Sequence, residues 1–398
     1  MRRIFFLVMG LVALNMGATL SESLDSLLSV TYPDATAPGY SIVIVAGDDT
    51  VYNRQWGMAD MERQTPVTAS TRFNIASISK QFTAASVLQM YSRGLVDIDA
   101  PISTYFPEFG SDIWHRVTPR QMMSHCSGVP DARPRVDRRW MQLATDYESV
   151  VYMRDLDILA FEPGSVYDYV NPTYTLMGRL IERLSGEEFA SYQREHIFAP
   201  AGMTDAVYFA PELEGTADMA HGYLSVDSGD GGESDNGVTK ERDAEGVTVY
   251  RDVTGRRWVE CDYGEETFFA TRPDGGIYAT AADLISWERA LQRGDIIAPA
   301  MLEMARTPHI TVTGSPRCSY QNRPDTYYGL GWFIDTAPGR ERKIYHTGDN
   351  GGFLAYLATY PAAHVIIAML ENRNDVDRWS LQQQIERLLM RYGLISAQ

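Results

Sequence analysis

Cysteine is scarce in this chain of 398 residues, which carries only Cys126, Cys261 and Cys318. So few thiols exclude a scaffold that is held together by disulfides. An odd number leaves room for one disulfide, most plausibly Cys261 with Cys318, or for none. The seven histidines form no H-x-x-x-H pattern and accompany no paired C-x-x-C, so we expect no metal site and no cofactor.

Positive charge is also in short supply. Lysine and arginine number 35 against 52 aspartates and glutamates, which gives a formal net charge of -17. Nucleic acid and anionic membranes repel such a polyanion, so neither is an expected partner. Lysine itself occurs only at Lys80, Lys240 and Lys343. A lysine at a spacing that suits catalysis is therefore informative in this sequence.

Long apolar runs are missing except at the N-terminus. There two arginines precede an apolar run over residues 4–14, which has the length of a signal-peptide core. We expect residues 1–21 to be a signal peptide, cut near residues 17–18, and the mature protein to be periplasmic or secreted, without a membrane segment. An uncleaved anchor is the alternative, because Met16 fits a small-x-small cleavage site poorly.

Strand patterns cluster towards the two ends of the chain. Residues 39–47 and 50–57 are rich in β-branched residues, bounded by glycine and joined by two aspartates, which predicts a β-hairpin. An amphipathic helix is predicted over 379–392, because apolar residues recur there at helical period. Further strand candidates precede it at hairpin spacing: 329–334, 343–346, 353–360 and 365–370.

The middle of the chain differs in composition. From residue 97 to residue 211 the pattern predicts helices and loops, with repeated prolines and weak strand signals. Residues 225–265 carry eleven acidic residues against five basic ones, and they predict a solvated loop and then a hairpin at 247–250 and 257–260. A calcium loop is the disfavoured alternative, because the acids lack the D-x-D-x-D-G order.

This order of elements predicts an α/β fold of two domains. We expect one sheet built from both termini, with residues 22–95 and 270–398 forming a discontinuous sheet domain. Residues 96–269 are expected to form an inserted, mainly helical domain that includes the acidic loop and hairpin. Two such domains are in keeping with the length of the chain.

Ser77 and Lys80 form an S-x-x-K motif in a segment, residues 73–91, whose composition predicts a buried helix. Side chains three residues apart share one face of a helix, so the hydroxyl and the amine can meet. Burial lowers the pKa of a lysine and makes a neutral amine available as a base, while a helix N-terminus offers N–H groups to an oxyanion. A capping serine beside an outward lysine is the alternative.

Two more short motifs suit the same chemistry. Tyr169 and Asn171 form a Y-x-N motif in a Pro/Gly-rich loop, where a tyrosine close to a cationic lysine can pass protons and an amide can bind a substrate carbonyl. An H-T-G motif at 346–348 follows a predicted strand, where a substrate can align with the backbone and His346 can relay a proton. A packed turn is the alternative for each.

The order of these motifs is similar to that of the penicillin-recognising serine hydrolases, a superfamily of class C β-lactamases, DD-carboxypeptidases, D-aminopeptidases and esterases. The resemblance runs from about residue 22 to the C-terminus, and residues 225–265 fit it least. It implies a β-lactamase-like antiparallel sheet flanked by helices. Segments that carry it beyond the motifs are 73–83, 95–101, 123–130 with Cys126 where threonine is usual, 275–284 and 328–332.

The resemblance also implies a role for each matching residue. Ser77 takes the place of the acylated nucleophile, and Lys80 and Tyr169 those of base and proton relay, in either order. His346 completes the catalytic set. The oxyanion hole is expected from the backbone N–H groups of Ser77 and Asp349. The substrate-binding residues that it implies are Asn171, Thr347, Gly348 and Asp349.

His346 marks a departure from the β-lactamases of this group, which carry K-T-G and attract the carboxylate of the drug with an ammonium. An imidazole is expected to be neutral at pH 7, and H-T-G resembles the peptidase and esterase branches instead. No plausible serine lies in a G-x-S-x-G motif, so the α/β-hydrolase class is set aside.

We therefore expect an exported serine hydrolase that works through an acyl-enzyme on Ser77. Its expected substrate is a small ester or a peptide that ends in a D-amino acid, with no cofactor. A weak β-lactamase is the alternative among enzymes, and a non-catalytic cell-wall or peptide-binding protein is the alternative from another class. The oligomeric state is left open.

Overall fold

The computed structural model describes residues 18–133, 145–208, 218–226, 239–242, 248–261, 271–312 and 325–396. The apolar run at the N-terminus, the glycine-rich part of the acidic loop and Cys318 lie outside these ranges. The signal peptide and the pairing of Cys261 with Cys318 therefore stay predictions. None of the helices in the described ranges combines the length and the apolar character that a membrane crossing requires.

The described ranges contain helices and strands throughout. The helices are α1 (Leu20–Thr31), α2 (Ser79–Ser92), α3 (Pro119–Met123), α4 (Asp146–Arg154), α5 (Pro172–Ser185), α6 (Phe189–Gln193), α7 (Ala199–Ala201), α8 (Arg272–Gly275), α9 (Ala281–Arg293), α10 (Pro299–Ala305) and α11 (Arg378–Arg391). The strands are β1 (Tyr40–Ala46), β2 (Asp49–Trp56), β3 (Met58–Asp60), β4 (Thr65–Pro66), β5 (Phe73–Asn74), β6 (Val207–Tyr208), β7 (Tyr223–Ser225), β8 (Thr239–Arg242), β9 (Thr248–Arg251), β10 (Arg257–Glu260), β11 (Ile277–Ala279), β12 (Ile310–Thr311), β13 (Thr326–Tyr328), β14 (Phe333–Asp335), β15 (Lys343–Asn350), β16 (Phe353–Tyr360) and β17 (Val365–Glu371). Short 3₁₀ turns span Ala76–Ile78, Ile102–Thr104 and Asp112–His115, and a π-helical turn spans Arg194–Phe198.

One antiparallel sheet of eight strands organises the molecule. Its strand order is β12-β13-β14-β15-β16-β17-β1-β2. The first two strands of the chain join the last six where β1 pairs with β17 along its whole length, from Tyr40 opposite Glu371 to Ala46 opposite Val365. The predicted fold class is confirmed, because one antiparallel sheet is built from both termini and carries helices. The limits of the two domains stay a prediction.

Helices cover both faces of this sheet. Successive side chains of a strand point to opposite faces, and β1 is apolar at every position from Ile42 to Val45. Ile42 and Ile44 belong to a core that they share with Leu24 of α1 and with α11. Val43 and Val45 belong to a second core, which they share with α2 and α9. A strand that is apolar on both sides can be buried only between two helical layers.

The acidic insertion contains more strand than the sequence predicts. The expected hairpin is present as β9 and β10, and β7 and β8 extend it to a four-stranded sheet of order β7-β10-β9-β8. This sheet lies against the turn between β15 and β16, where the N–H of Gly352 donates to the carbonyl of Cys261 at 3.3 Å. The insertion therefore adjoins the strand that carries the H-T-G motif.

Two local predictions are wrong. The helix expected over 73–91 begins only at Ser79, because Phe73–Asn74 pairs with β11 and a 3₁₀ turn follows it. The strand expected over 329–334 is mostly the turn between β13 and β14, and only its last two residues belong to β14. Gly331 in that turn has a φ of +98° and lies against α2, where a Cβ would come within 3.3 Å of the Lys80 carbonyl.

Candidate active site

Ser77 lies in a tight turn between β5 and α2. The preceding residue, Ala76, has a φ of +46°, in the left-handed region that costs a residue with a side chain about 1 kcal/mol or more. The side chain of Asn74 stabilises this conformation, since its Oδ1 accepts the N–H of Ala76 at 2.7 Å. The turn presents Ser77 as a half-buried residue, while its neighbours on both sides are buried.

Lys80 lies one turn further along, at the start of α2, and its side chain is fully buried. Nζ lies 3.0 Å from Oγ of Ser77 and donates to the backbone carbonyl of Asp274 at 2.8 Å. Burial lowers the pKa of Lys80 to about 7, opposed by the negative charge of Asp274 and assisted by the positive charge of Arg133. At neutral pH a large share of the amine is therefore neutral, within reach of a serine hydroxyl.

The Y-x-N motif lies on the other side of Lys80. Tyr169 lies in the loop before α5, and Nζ of Lys80 lies 4.9 Å from the centroid of its ring. Asn171 precedes Pro172, the first residue of α5, and its Oδ1 is buried with no hydrogen-bond partner among the described residues. A buried carbonyl oxygen without a donor is costly, and a substrate N–H is one group that can satisfy it.

His346 lies in β15 and is also buried. Nδ1 lies 2.7 Å from the Thr347 carbonyl, which can only accept, so Nδ1 carries the proton. Nε2 then accepts from the hydroxyl of Tyr328 at 2.9 Å, and burial raises the pKa of that hydroxyl, so it keeps its proton. Burial and the charge of Lys80 lower the pKa of His346 to about 3, so the ring is neutral at pH 7.

The end of β15 packs directly on the turn that holds Ser77. Its neighbour β14 pairs with β15 only as far as Tyr345, and the H-T-G residues lie beyond that point. A Cβ on Gly348 would come within 2.2 Å of the Ile75 carbonyl. Only glycine therefore lets the strand approach this closely. Thr347, Gly348 and Asp349 thus lie beside the turn of Ser77, although their predicted contacts with substrate stay predictions.

The sequence model of the Beta-lactamase family matches this chain over residues 24–387. The chain belongs to that family. It is 25% identical over 345 residues to Penicillin-binding protein 4* of Bacillus subtilis, which covers 84% of this chain and 68% of that protein. It is 32% identical over 174 residues to a D-aminopeptidase of Brucella anthropi, covering 42% of this chain and 32% of that one.

Other known proteins share a shorter stretch of sequence with this chain or only its fold. Esterase EstB of Burkholderia gladioli is 27% identical over 219 residues, which is 50% of this chain and 54% of the esterase. The octameric penicillin-binding protein homologue of Pyrococcus abyssi superposes with a TM-score of 0.72 at 24% identity, covering 93% of this chain and 77% of that one. At that identity the superposition establishes the fold alone. The family itself comprises serine hydrolases.

Some residues around the candidate site carry no motif that points to a role. Tyr328 lies in a segment that carries the family resemblance, yet nothing in the sequence indicates that its hydroxyl meets His346. Asp274 contacts Lys80 through a backbone carbonyl, which any residue type can provide. Arg378, from α11, donates to the carbonyl of Gly348 at 2.6 Å. These contacts depend on the tertiary fold and leave no local signature in the sequence.

Among the described residues, one group of side chains is arranged so that it could hold a metal ion, and it lies at the surface. Glu187, Glu195 and His196 there place one ligand atom each within 4.8 Å of one another. None of these side chains is buried, and His196 already lies 3.1 Å from Glu187. This cluster belongs to the region around α6 and shares no residue with the candidate site.

Proposed function

We propose that this protein is an exported serine hydrolase that cleaves esters or D-amino-acid-terminated peptides through an acyl-enzyme on Ser77. One observation carries the proposal: the buried amine of Lys80 lies 3.0 Å from Oγ of Ser77. A base with a pKa of about 7 beside a serine hydroxyl is suited to general base catalysis at neutral pH. A binding protein has no need of such a pair.

Acylation begins when the neutral amine of Lys80 takes the hydroxyl proton of Ser77. Oγ then forms a bond to the carbonyl carbon of the substrate, whose π electrons move to the carbonyl oxygen. When the carbonyl re-forms, the bond to the leaving alcohol or amine breaks, and that group needs a proton. Tyr169, whose ring lies beside Nζ of Lys80, passes the proton from the protonated amine to the leaving group. The reverse order, with Tyr169 as the first base, uses the same contacts.

The developing oxyanion is stabilised by the N–H groups of Ser77 and Asp349. The turn between β15 and β16 has two residues, so Asn350 and Phe353 close it as a hydrogen-bonded pair. Hydrogen-bonded and non-hydrogen-bonded pairs alternate along antiparallel strands, so the N–H of Asp349 points away from β16. That direction is the side on which the turn of Ser77 packs.

The remaining residues bind substrate or hold the strand. Oδ1 of Asn171 accepts an N–H of the substrate, which satisfies an oxygen that is otherwise unpaired among the described residues. The ring of His346 is neutral, so it can in principle accept or pass on a proton. Since Tyr328 and the Thr347 carbonyl engage both of its nitrogens, a proton relay through His346 requires one of these bonds to exchange. Its predicted catalytic role is kept on that condition.

Relatives support the substrate class. The relatives include a D-aminopeptidase, an esterase and a penicillin-binding protein, and these names denote action on peptides, action on esters and binding of penicillin. A neutral His346 offers no ammonium to the carboxylate of a β-lactam, so a weak β-lactamase ranks below the other two activities. The apolar run at the N-terminus supports export.

Turnover of four probes by the wild-type protein and by Ser77→Ala tests this proposal. The probes are an aryl ester, a D-amino acid amide, a D-Ala-D-Ala peptide and a penicillin. Turnover of at least one probe is expected from the wild type, and Ser77→Ala should lose roughly a thousandfold or more while it melts at the wild-type temperature. Turnover by Ser77→Ala near the wild-type rate would assign the nucleophile elsewhere. No turnover of any probe would favour the binding protein.

A further inference from the structure

His125 is a buried histidine that the proposed mechanism does not use. It follows α3 and is 1% exposed, with a φ of +55° that is rare for a residue with a side chain. Its ring centroid lies 4.1 Å from that of Tyr169, at an interplanar angle of 34°. Tyr174 and Tyr328 contact the same ring, with centroids at 5.2 Å and 4.9 Å.

The backbone around Tyr169 is fixed to His125 on both sides. The N–H of Asp168 donates to the carbonyl of His125 at 2.8 Å. The N–H of Val170 donates to Nδ1 of His125 at 3.2 Å. One histidine therefore holds the residue before Tyr169 and the residue after it, and its ring supports the phenol ring between them. Few side chains have both an acceptor at this position and a flat face.

The protonation state of His125 is fixed by the same contacts. Because Nδ1 accepts an N–H, the ring proton is on Nε2, which is buried with no hydrogen-bond partner among the described residues. Burial and the charge of Lys80 lower the pKa of His125 well below its ordinary value. The ring is therefore neutral and adds no positive charge next to Lys80.

The structure assigns His125 a positioning role, which we infer from this geometry: it fixes the ring of Tyr169 beside Lys80 so that the phenol can pass protons. The inference rests on the proposed function, since a relay is needed only if Ser77 and Lys80 catalyse acyl transfer. The left-handed backbone of His125 ends α3, where the N–H of Cys126 donates to the Gln121 carbonyl at 2.9 Å. From that position the carbonyl and Nδ1 of His125 reach the residues on either side of Tyr169.

A double-mutant cycle of His125→Ala and Tyr169→Phe tests the inference. The substrates are the nitrophenyl ester and the ethyl ester of one acid, because only the poor ethoxide leaving group depends on a donated proton. We expect His125→Ala to lower kcat for the ethyl ester by roughly tenfold or more, with a smaller loss for the nitrophenyl ester. In the Tyr169→Phe background the same substitution should cost less than about twofold, since the relay is already absent.

Two further variants keep a folding defect apart from a positioning defect. His125→Asn keeps an acceptor near the position of Nδ1 and tolerates a positive φ, so it should recover part of the kcat that His125→Ala loses. His309→Asn, a histidine substitution outside the site, should leave both esters at the wild-type rate. Additive losses in the cycle, or equal losses on both esters, would overturn the inference alone. Wild-type kcat in Tyr169→Phe would overturn the relay and the inference together.

Discussion

At the scale of single residues, the central feature is an amine whose charge depends on its surroundings. Lys80 is fully buried, and burial outweighs the opposing charge of Asp274 in setting its pKa at about 7. A lysine at its ordinary pKa is protonated at neutral pH and cannot accept a proton. The fold thus gives Lys80 the pKa that its proposed role as a base requires near neutral pH.

The pH profile of acylation tests this account of Lys80. The base is active when neutral, so acylation should fall as the pH drops through about 7. Asp274 holds the pKa of Lys80 up through its charge, and its carboxyl is buried beside the amine. Asp274→Asn removes that charge, so the acid limb, meaning the fall of the acylation rate on the acidic side of the pH profile, should move to lower pH by roughly one unit. Stopped-flow rates of ester acylation between pH 5 and about pH 9 measure it.

An exposed carboxyl provides the control. Asp99 pairs with Arg120 at the surface, and Asp99→Asn should leave the limb where it is in the wild type. If Asp274→Asn also leaves the limb unmoved, the carboxyl of Asp274 is already protonated and does not act on Lys80. A limb that moves to higher pH would contradict the sign of the interaction.

At the scale of elements, the site depends on how closely β15 approaches the turn of Ser77. That distance is set at Gly348, where a Cβ would come within 2.2 Å of the Ile75 carbonyl and within 3.0 Å of Cβ of Ala76. Arg378 of α11 holds the same residue from the other side, through the Gly348 carbonyl. The strand cannot move away from the turn without losing the second N–H of the proposed oxyanion hole.

Gly348→Ala should separate activity from stability. The added methyl pushes β15 off the turn, and loss of one oxyanion donor lowers kcat by roughly 100-fold or more. The free energy of unfolding should fall by only about 1 to 3 kcal/mol, as for other overpacked sites. Ester turnover and urea unfolding measure the two effects.

Gly110→Ala is the matched control for this substitution. Gly110 has no atom within 4 Å of the position of a Cβ, and its φ is not left-handed, so activity and stability should both stay at the wild-type level. A folded Gly348→Ala variant with wild-type kcat would show that this approach of strand and turn is not needed for catalysis.

The sequence predicted the regular elements well and the turns poorly. The strand predicted over 353–360 matches β16, and the C-terminal helix is within one residue of α11, because each has a long run of apolar residues at a clear period. The turn of Ser77 could not be predicted, since the φ of Ala76 depends on the side chain of Asn74 and on the approach of Gly348. The hydrogen bond of Asn74 is local, but the approach of Gly348 is decided by the tertiary fold.

The motifs were predictable for a different reason. Ser77 and Lys80 lie three residues apart, so their approach follows from local geometry, although the helix begins six residues later than predicted. The contact of Lys80 with Tyr169 joins residues far apart in sequence and was expected only through the family resemblance. The clamp that His125 makes on the backbone beside Tyr169 left no pattern that sequence analysis could detect.

At the scale of the whole molecule, the site lies where separate parts of the chain converge. Ser77 and Lys80 come from the segment after the N-terminal hairpin, Tyr169 from the helical region and His346 from the C-terminal strands. The pairing of β1 with β17 joins the first and last of these parts in one sheet. The proposed catalysis therefore requires the complete fold, and a fragment without the C-terminal strands lacks half of the proposed oxyanion hole.

The acyl-enzyme on Ser77 is the central claim, and intact-mass measurement tests it most directly. The wild-type protein and Ser77→Ala are each quenched in acid within seconds of mixing with an aryl ester or with a penicillin, and then digested to locate any adduct. We predict that the wild type gains the mass of one acyl group with at least one reagent, that this group maps to Ser77, and that Ser77→Ala gains none. An adduct on another residue, or equal labelling of Ser77→Ala, would contradict the account.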